Sequence, residues 1–258
     1  MLLYVQQLNN MQFKRLKIKK NSFYTVVPAR SGSKSVKDKN IKFLYGIPLI
    51  GYALSISKRI KRSQKTVFSS DSIKYLEIAK KYNPDILHLR SKKNSSDKAT
   101  DKDFFQEIIK FLSEKNINIP EFFILIRANT PGRVLKELND AIDKFFENKN
   151  SYSSLRSLSE MPETSYKTFE IRNNKLCCIC SNSFKVDKAN LPRQKYKKTY
   201  SANGLVDILK TKNLIKGKTY GEKSFAYVCK NKYIDIDYPS DLGYSKFIMK
   251  SKKYYRPR

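Results

Sequence analysis

The chain has 258 residues, of which 40% are apolar and 12% aromatic, and its formal net charge is +30. The apolar share is enough to bury a core, which excludes a disordered chain despite the charge. No run approaches the ~20 apolar residues that a bilayer span needs, and residues 1–5 are too short for a signal-peptide core, so the reading is cytoplasmic with no membrane partner. The lysines are spread along the whole chain, with modest clusters at 14–20 and 250–258 and no recognition motif beside them. That charge predicts attraction of a small anionic substrate and no nucleic-acid partner.

In chain order, residues 1–22 read as a basic extension, and 23–27 as a first strand followed by a polar loop up to Asn40. Pro48 fits a first helical position, with Leu49, Ile50, Ala53, Leu54 and Ile56 as the buried stripe. Residues 65–69 form a strand, and Asp71 then N-caps a helix through Lys81 with Ile73, Leu76, Ile78 and Ala79 inward. Strands at 86–89 and 122–126 alternate with helices at 104–111 and 134–146. This α/β alternation predicts a Rossmann-like, mostly parallel central sheet with helices on both faces.

From Ser151 the pattern changes. Short strands at 152–156, 166–171, 175–180 and 205–209, with a turn at Asn173-Asn174, predict a small antiparallel β insertion over about 151–210. A last strand at 233–236 and a helix from Pro239 complete a single domain over 23–258.

Cys177, Cys178, Cys180 and Cys229 lack zinc-pair spacing, and His88 is the chain's single histidine. Its place between Leu87 and Leu89 is structural, which removes Ser-His-Asp and Cys-His catalysis. The chemistry therefore falls to Lys, Arg and Asp. The loop Pro28-Ala29-Arg30-Ser31-Gly32-Ser33-Lys34 follows the first strand, where open α/β sheets bind ligands. Its small residues free backbone N–H groups for phosphate, and Arg30 and Lys34 supply a fork and a point charge. Lys37, Lys39 and Asn40 extend the same surface. The loop matches neither the dinucleotide fingerprint nor the P-loop. On the last strand, Asp235 and Asp237 fall on one face, where two carboxylates suit Mg²⁺.

These motifs, in this order, resemble the cytidylyltransferases that make CMP-N-acylneuraminate. The resemblance runs from about residue 23 to 247. It rests on the loop 28–34 with Lys37-Asp38-Lys39-Asn40-Ile41, on Pro48-Leu49-Ile50-Gly51-Tyr52, and on Ser69-Ser70-Asp71. It continues through Arg127-Ala128-Asn129-Thr130-Pro131-Gly132-Arg133, Pro192-Arg193-Gln194, Asn203-Gly204 and Asp235-Ile236-Asp237. It implies the nucleotide-diphospho-sugar transferase fold and transfer of CMP from CTP to the anomeric hydroxyl of a nonulosonic acid, releasing pyrophosphate. It further implies that Arg30, Ser33, Lys34, Lys39 and Asn40 hold the CTP phosphates or ribose, and that Arg90, Ala99 and Thr100 read the base. Arg127, Lys167, Arg193 and Asp207 fall on the sugar side, Asp235 and Asp237 match the metal carboxylates, and the active form is a homodimer. Arg30, Lys34, Lys39 and Asp237 would carry the catalysis. The chain departs from the family pattern at Arg127 (commonly Gln), at Ala128, Asn129 and Gly132 (commonly Pro, Thr and Leu), and at Asp207 (commonly Tyr). A CMP-Kdo synthetase-like enzyme, or a catalytically weak nucleotide-binding relative, are the alternative readings.

Overall fold

Seven strands join in one sheet in the computed structural model, which describes residues 16–257. They are β1 (Ile18–Pro28), β4 (Ser63–Ser70), β5 (Ile86–Leu89), β6 (Ile119–Leu125), β7 (Ser154–Glu160), β10 (Tyr200–Lys210) and β11 (Ser224–Val228). Their order across the sheet is β11-β7-β10-β6-β1-β4-β5. Among these, β10 alone runs against the rest, pairing antiparallel with both β6 and β7. The two-residue strands β2 (Phe43–Leu44) and β3 (Ile47–Pro48) form a small hairpin beside the sheet, and β8 (Phe169–Arg172) with β9 (Lys175–Cys178) forms another.

The buried strands carry apolar residues on both sides, as a parallel sheet covered on both faces requires. Helices α1 (Leu49–Ser57), α2 (Ile73–Lys80) and α4 (Leu135–Asn148) cover one face, packing Ile50, Leu54, Tyr75, Leu138 and Phe145 against Val27, Phe68, Phe122 and Ile124. Helix α3 (Asp101–Glu114) and the short α5 (Thr211–Ile215) cover the other, where Phe105, Ile108 and Leu112 meet Val26, Val67, Phe123 and Leu125. A third cluster joins Leu44, Leu49 and Tyr52 to Ile236, Met249 and Tyr254. It docks the C-terminal helix α6 (Pro239–Ile248) beside the β2–β3 hairpin.

Several boundaries differ from the sequence reading. Strand β1 begins at Ile18, inside the segment read as an extension, because Ile18 and Lys19 pair with Ile119 and Pro120. Residues 1–15 of that segment lie outside the described residues. The N-cap of α2 is Ser72, whose hydroxyl accepts from the Tyr75 N–H. Asp71 is drawn away from the capping role by Ser31, whose N–H and hydroxyl both donate to its carboxylate, at 2.8 and 2.9 Å. Residues 233–236 are not a strand. They run as extended coil held by one backbone bond, Ile236 N–H to the Asn129 carbonyl, and the edge strand is β11 instead. The turn at Asn173-Asn174 stands as read, with both residues at positive φ in a hairpin connection.

The chain enters the sheet at β1, steps to β4 and β5 on one side, and then crosses to β6 on the other. The direction of winding therefore reverses between β1 and β6. Beyond the carboxyl ends of these strands lies the crevice where open α/β sheets bind ligands. Because β10 is antiparallel, it brings its beginning, with Asn203, Gly204 and Asp207, to that same edge.

Candidate active site

A cleft of about 220 Å³ opens at this crevice. Its walls come from the loop after β1 (Arg30, Lys39, Asn40), from the segment between β5 and α3 (Arg90, Ser95, Ala99, Thr100, Asp101), and from the loop after β6 (Arg127, Ala128, Asn129). Seven of the residues singled out in sequence thus meet in one place: Arg30, Lys39, Asn40, Arg90, Ala99, Thr100 and Arg127.

Side chains tie down the start of the β1 loop. Asn40, buried, donates its amide to the Arg30 carbonyl at 2.9 Å, and Asp71 ties down Ser31. Ser33 and Lys34 sit on the outer rim of the loop, outside the cleft lining. Arg30 and Lys34 both reach Asp97, at 2.8 and 2.6 Å. Asp97 was not anticipated from sequence. Its carboxyl is held below the ordinary carboxylate range by Lys34, with Arg30 adding to the effect.

Arg90 is the buried cation of the cleft, 6% exposed. It donates Nη2 to the Ser69 carbonyl at 2.9 Å and Nε to the Ser69 hydroxyl at 3.2 Å, and its guanidinium lies 4.6 Å over the Phe104 ring. Burial pulls its pKa down to about 10, with Asp71, Glu107 and Asp101 opposing. It therefore stays charged at neutral pH. His88 stands behind it, buried and bonded to the Ser69 hydroxyl at 2.9 Å, the structural role read from sequence.

The acids Asp235 and Asp237 each meet a different loop. Lys39 Nζ donates to Asp237 at 2.7 Å, and the Thr130 hydroxyl donates to Asp235. Ile236, fully buried, anchors the coil between them. Among the described residues no cluster of three or more metal-type ligands occurs. Two carboxylates are nevertheless sufficient for Mg²⁺, which keeps waters and takes phosphate oxygens as its other ligands. The Lys39 ammonium on Asp237 shows that this position accepts positive charge.

The backbone behind the acids is fixed by Arg133, which sequence reading placed in a motif without giving it a role. Fully buried, it donates to the carbonyls of Arg127, Thr130, Gly204 and Leu205. Burial lowers its pKa to about 10, which leaves it charged at neutral pH. At Gly132, a Cβ would meet Met249 Cγ at 2.8 Å. Met249 and Tyr254 fill the space that a leucine there would occupy.

Arg127 and Asp207 are neighbours. The Arg127 guanidinium forms a two-pronged contact with Asp101, at 2.5 and 3.3 Å, and lies 3.8 Å from Asp207. Asp207 is also approached by Arg156 at 3.7 Å and by the Tyr220 hydroxyl at 3.4 Å. Burial raises the Asp207 pKa against the pull of Arg127 and Arg156. Lys167 and Arg193 are not brought to the cleft of their own chain. Both sit on the insertion: Lys167 lies over the Tyr196 ring, and Arg193 pairs with Glu160 at 3.2 Å beside a second cavity of about 390 Å³.

A cationic cleft at a winding reversal is where open α/β sheets take their ligands, and it suits an anionic one. The chain belongs to the cytidylyltransferase family, whose model, described as Cytidylyltransferase, matches residues 24–168. It is 25% identical over 229 residues to the N-acylneuraminate cytidylyltransferase of Escherichia coli O18:K1:H7, covering 88% of this chain and 52% of that protein. It is 30% identical over 137 residues to the pseudaminic acid cytidylyltransferase of Campylobacter jejuni serotype O:2, covering 53% and 59%. The chain thus spans little more than half the length of these two relatives. A solved structure of CMP:2-keto-3-deoxy-manno-octonic acid synthetase complexed with CTP shares the fold at a TM-score of 0.62, with 10% identity over 89% of this chain and 98% of that one. These likenesses agree with the family read from the ordered motifs.

Proposed function

We propose that this protein transfers CMP from CTP to the anomeric hydroxyl of a nonulosonic acid, forming a CMP-sugar and pyrophosphate. The observation that carries this is a cleft lined by Arg30, Lys39 and Arg90, with Asp237 bound to Lys39 at 2.7 Å at its edge, a charge pattern that suits a metal-bound nucleoside triphosphate. The family, and the printed names of relatives acting on N-acylneuraminate and pseudaminic acid, support the substrate class.

The reaction is a displacement at the α-phosphorus, so catalysis is positioning and charge stabilisation. Arg30, Lys34 and Lys39 neutralise phosphate charge on the leaving pyrophosphate, with Ser33 and Asn40 shaping the loop around it. Arg90, Ala99 and Thr100 form the base side of the cleft. Asp235 and Asp237 would hold Mg²⁺, which supplies charge neutralisation at the phosphates. Gly204 and Thr130 keep Asp235 in place, and Lys39 does the same for Asp237.

The reading extends to a homodimer in which Lys167 and Arg193 of the insertion serve the partner's sugar site. The insertion exposes a run of large apolar side chains, among them Phe169, Ile171, Leu176, Ile179 and Phe184, which suits burial against a second copy. A cytoplasmic setting fits the four free cysteines. Among the described residues no helix is long and apolar enough to cross a membrane.

The test is CTP-dependent pyrophosphate release across a panel of N-acetylneuraminate, legionaminate, pseudaminate and Kdo. Lys39→Ala and Asp237→Asn should each lower turnover on the order of 10²–10³-fold. Near-normal turnover in both folded variants would sink the assignment, and turnover with Kdo alone would redirect it.

A further inference from the structure

The guanidinium of Arg127 is already occupied. Its two prongs go to Asp101, and Asp207 lies 3.8 Å from the same Nη2, so two carboxylates neutralise one cation. A cation so paired has little left to offer the carboxylate of an incoming sugar acid. The pairing instead joins two different walls of the cleft. Arg127 follows β6, on backbone fixed by the buried Arg133, which donates to the Arg127 carbonyl at 2.9 Å. Asp101 is the first residue of α3, next to Ala99 and Thr100 and one turn before Phe104, on which Arg90 stacks.

We infer that Arg127 is a positioning residue for the nucleotide: it draws the start of α3 toward the loop after β6 and so sets the width of the base-binding side of the cleft. This rests on the cleft's being the CTP site, as proposed above. The physical reason is geometric. A planar guanidinium and a carboxylate meeting by two parallel bonds fix distance and angle together, which neither a lysine nor a glutamine reproduces. Without Arg127, Asp101 and the buried Asp207 face each other as like charges in a poorly solvated place, and the mobile partner is the helix start. Asp101 and Asp207 thereby acquire a role as the two anchors of one cation.

This separates from a sugar-binding role by which ligand feels the loss. Titration calorimetry with CTP alone, without sugar, should show Arg127→Gln and Asp101→Asn each weakening CTP roughly ten-fold. The double variant should be no weaker than the worse single, since both remove one contact. In steady-state assays the KM for CTP should rise while the KM for the sugar acid stays near that of the parent protein. Asp101→Asn preserves shape and serves if Arg127→Gln fails to fold. If the parent binds CTP and both variants bind it equally well, or if the sugar KM alone rises in Arg127→Gln, the inference is overturned and the cleft assignment stands. If the parent binds no CTP, both fall.

Discussion

Gly204 sits with its α-carbon against Asp235, so closely that a Cβ there would overlap both the Asp235 carboxylate and the Thr130 hydroxyl. Its φ of +70° also belongs to the region that side chains disfavour. Backbone conformation and carboxylate placement are therefore met by one residue. Gly204→Ala should destabilise the fold by about 1–3 kcal/mol through strain and should also lower pyrophosphate release at least ten-fold by displacing Asp235. Gly217 provides the control. Its φ is +75°, but a Cβ there meets nothing within 4 Å, so Gly217→Ala should show strain without loss of turnover. Equal turnover in the two variants would remove Gly204 from the site.

Asp97 holds two cations of the loop after β1, Arg30 and Lys34. All three side chains are well exposed, so the contacts are weak and a triphosphate displaces them readily. Asp97→Asn should release Arg30 and Lys34 and lower the KM for CTP by about two- to five-fold at low salt, an advantage that shrinks as salt screens the loop. A KM that is unchanged or higher at low salt would show that Asp97 supports the loop instead of competing with the substrate.

Burial lowers the pKa of His88 from 6.5 to about 4. The unfolded chain takes up this proton near pH 6.5, whereas the folded chain resists it until near pH 4. Between those values the unfolded state binds more protons, so stability falls as pH is lowered through that window and this contribution levels off below it. Two charged neighbours act on the ring in opposite senses: Glu107 raises its pKa and Arg90 lowers it. Glu107, where burial is outweighed by bonds from Ser91 and Asn94, titrates below its ordinary 4.5, so its own effect falls lower on the scale. Denaturant unfolding at pH 4, 5, 6 and 7 should show a slope approaching ~1.4 kcal/mol per unit that is absent from His88→Gln. An unchanged slope in that variant would assign the effect elsewhere.

The reach of sequence reading follows the physics of each element. Strand 86–89 and the turn at Asn173-Asn174 were legible because apolar period and turn chemistry are local. The coil at 233–236 was misread as a strand because Tyr233, Ile234 and Ile236 have strand composition, yet only Ile236 finds a backbone partner. Asp71 looked like a cap for the helix after it, and the loop before β2 claimed it instead. Of the site, the cations and the acidic pair were visible as residue types in order. What holds them was not: the partners Asp97 and Asp101, and the Gly204 and Leu205 carbonyls bound by Arg133, lie far away in sequence and are ordinary in composition. Lys167 and Arg193 illustrate the complementary case, since the family pattern picked them out while the fold leaves them on the insertion, away from the cleft.

Met249 and Tyr254 fill the gap above Gly132, and the Tyr255 N–H bonds back to the Arg133 carbonyl at 2.8 Å. This has a consequence for how the molecule is made. Synthesis proceeds from the N-terminus, and domains begin to fold as they emerge. The phosphate loop, Arg90 and the loop after β6 are all present while the stretch carrying Asp235, Asp237 and Met249 has yet to be added. The nascent chain thus acquires its anion-attracting half first and its acidic half last. Until residues 235–255 settle onto the loop after β6, that loop lacks both its carboxylates and its packing, so the pairing of Lys39 with Asp237 is the last contact of the site to form.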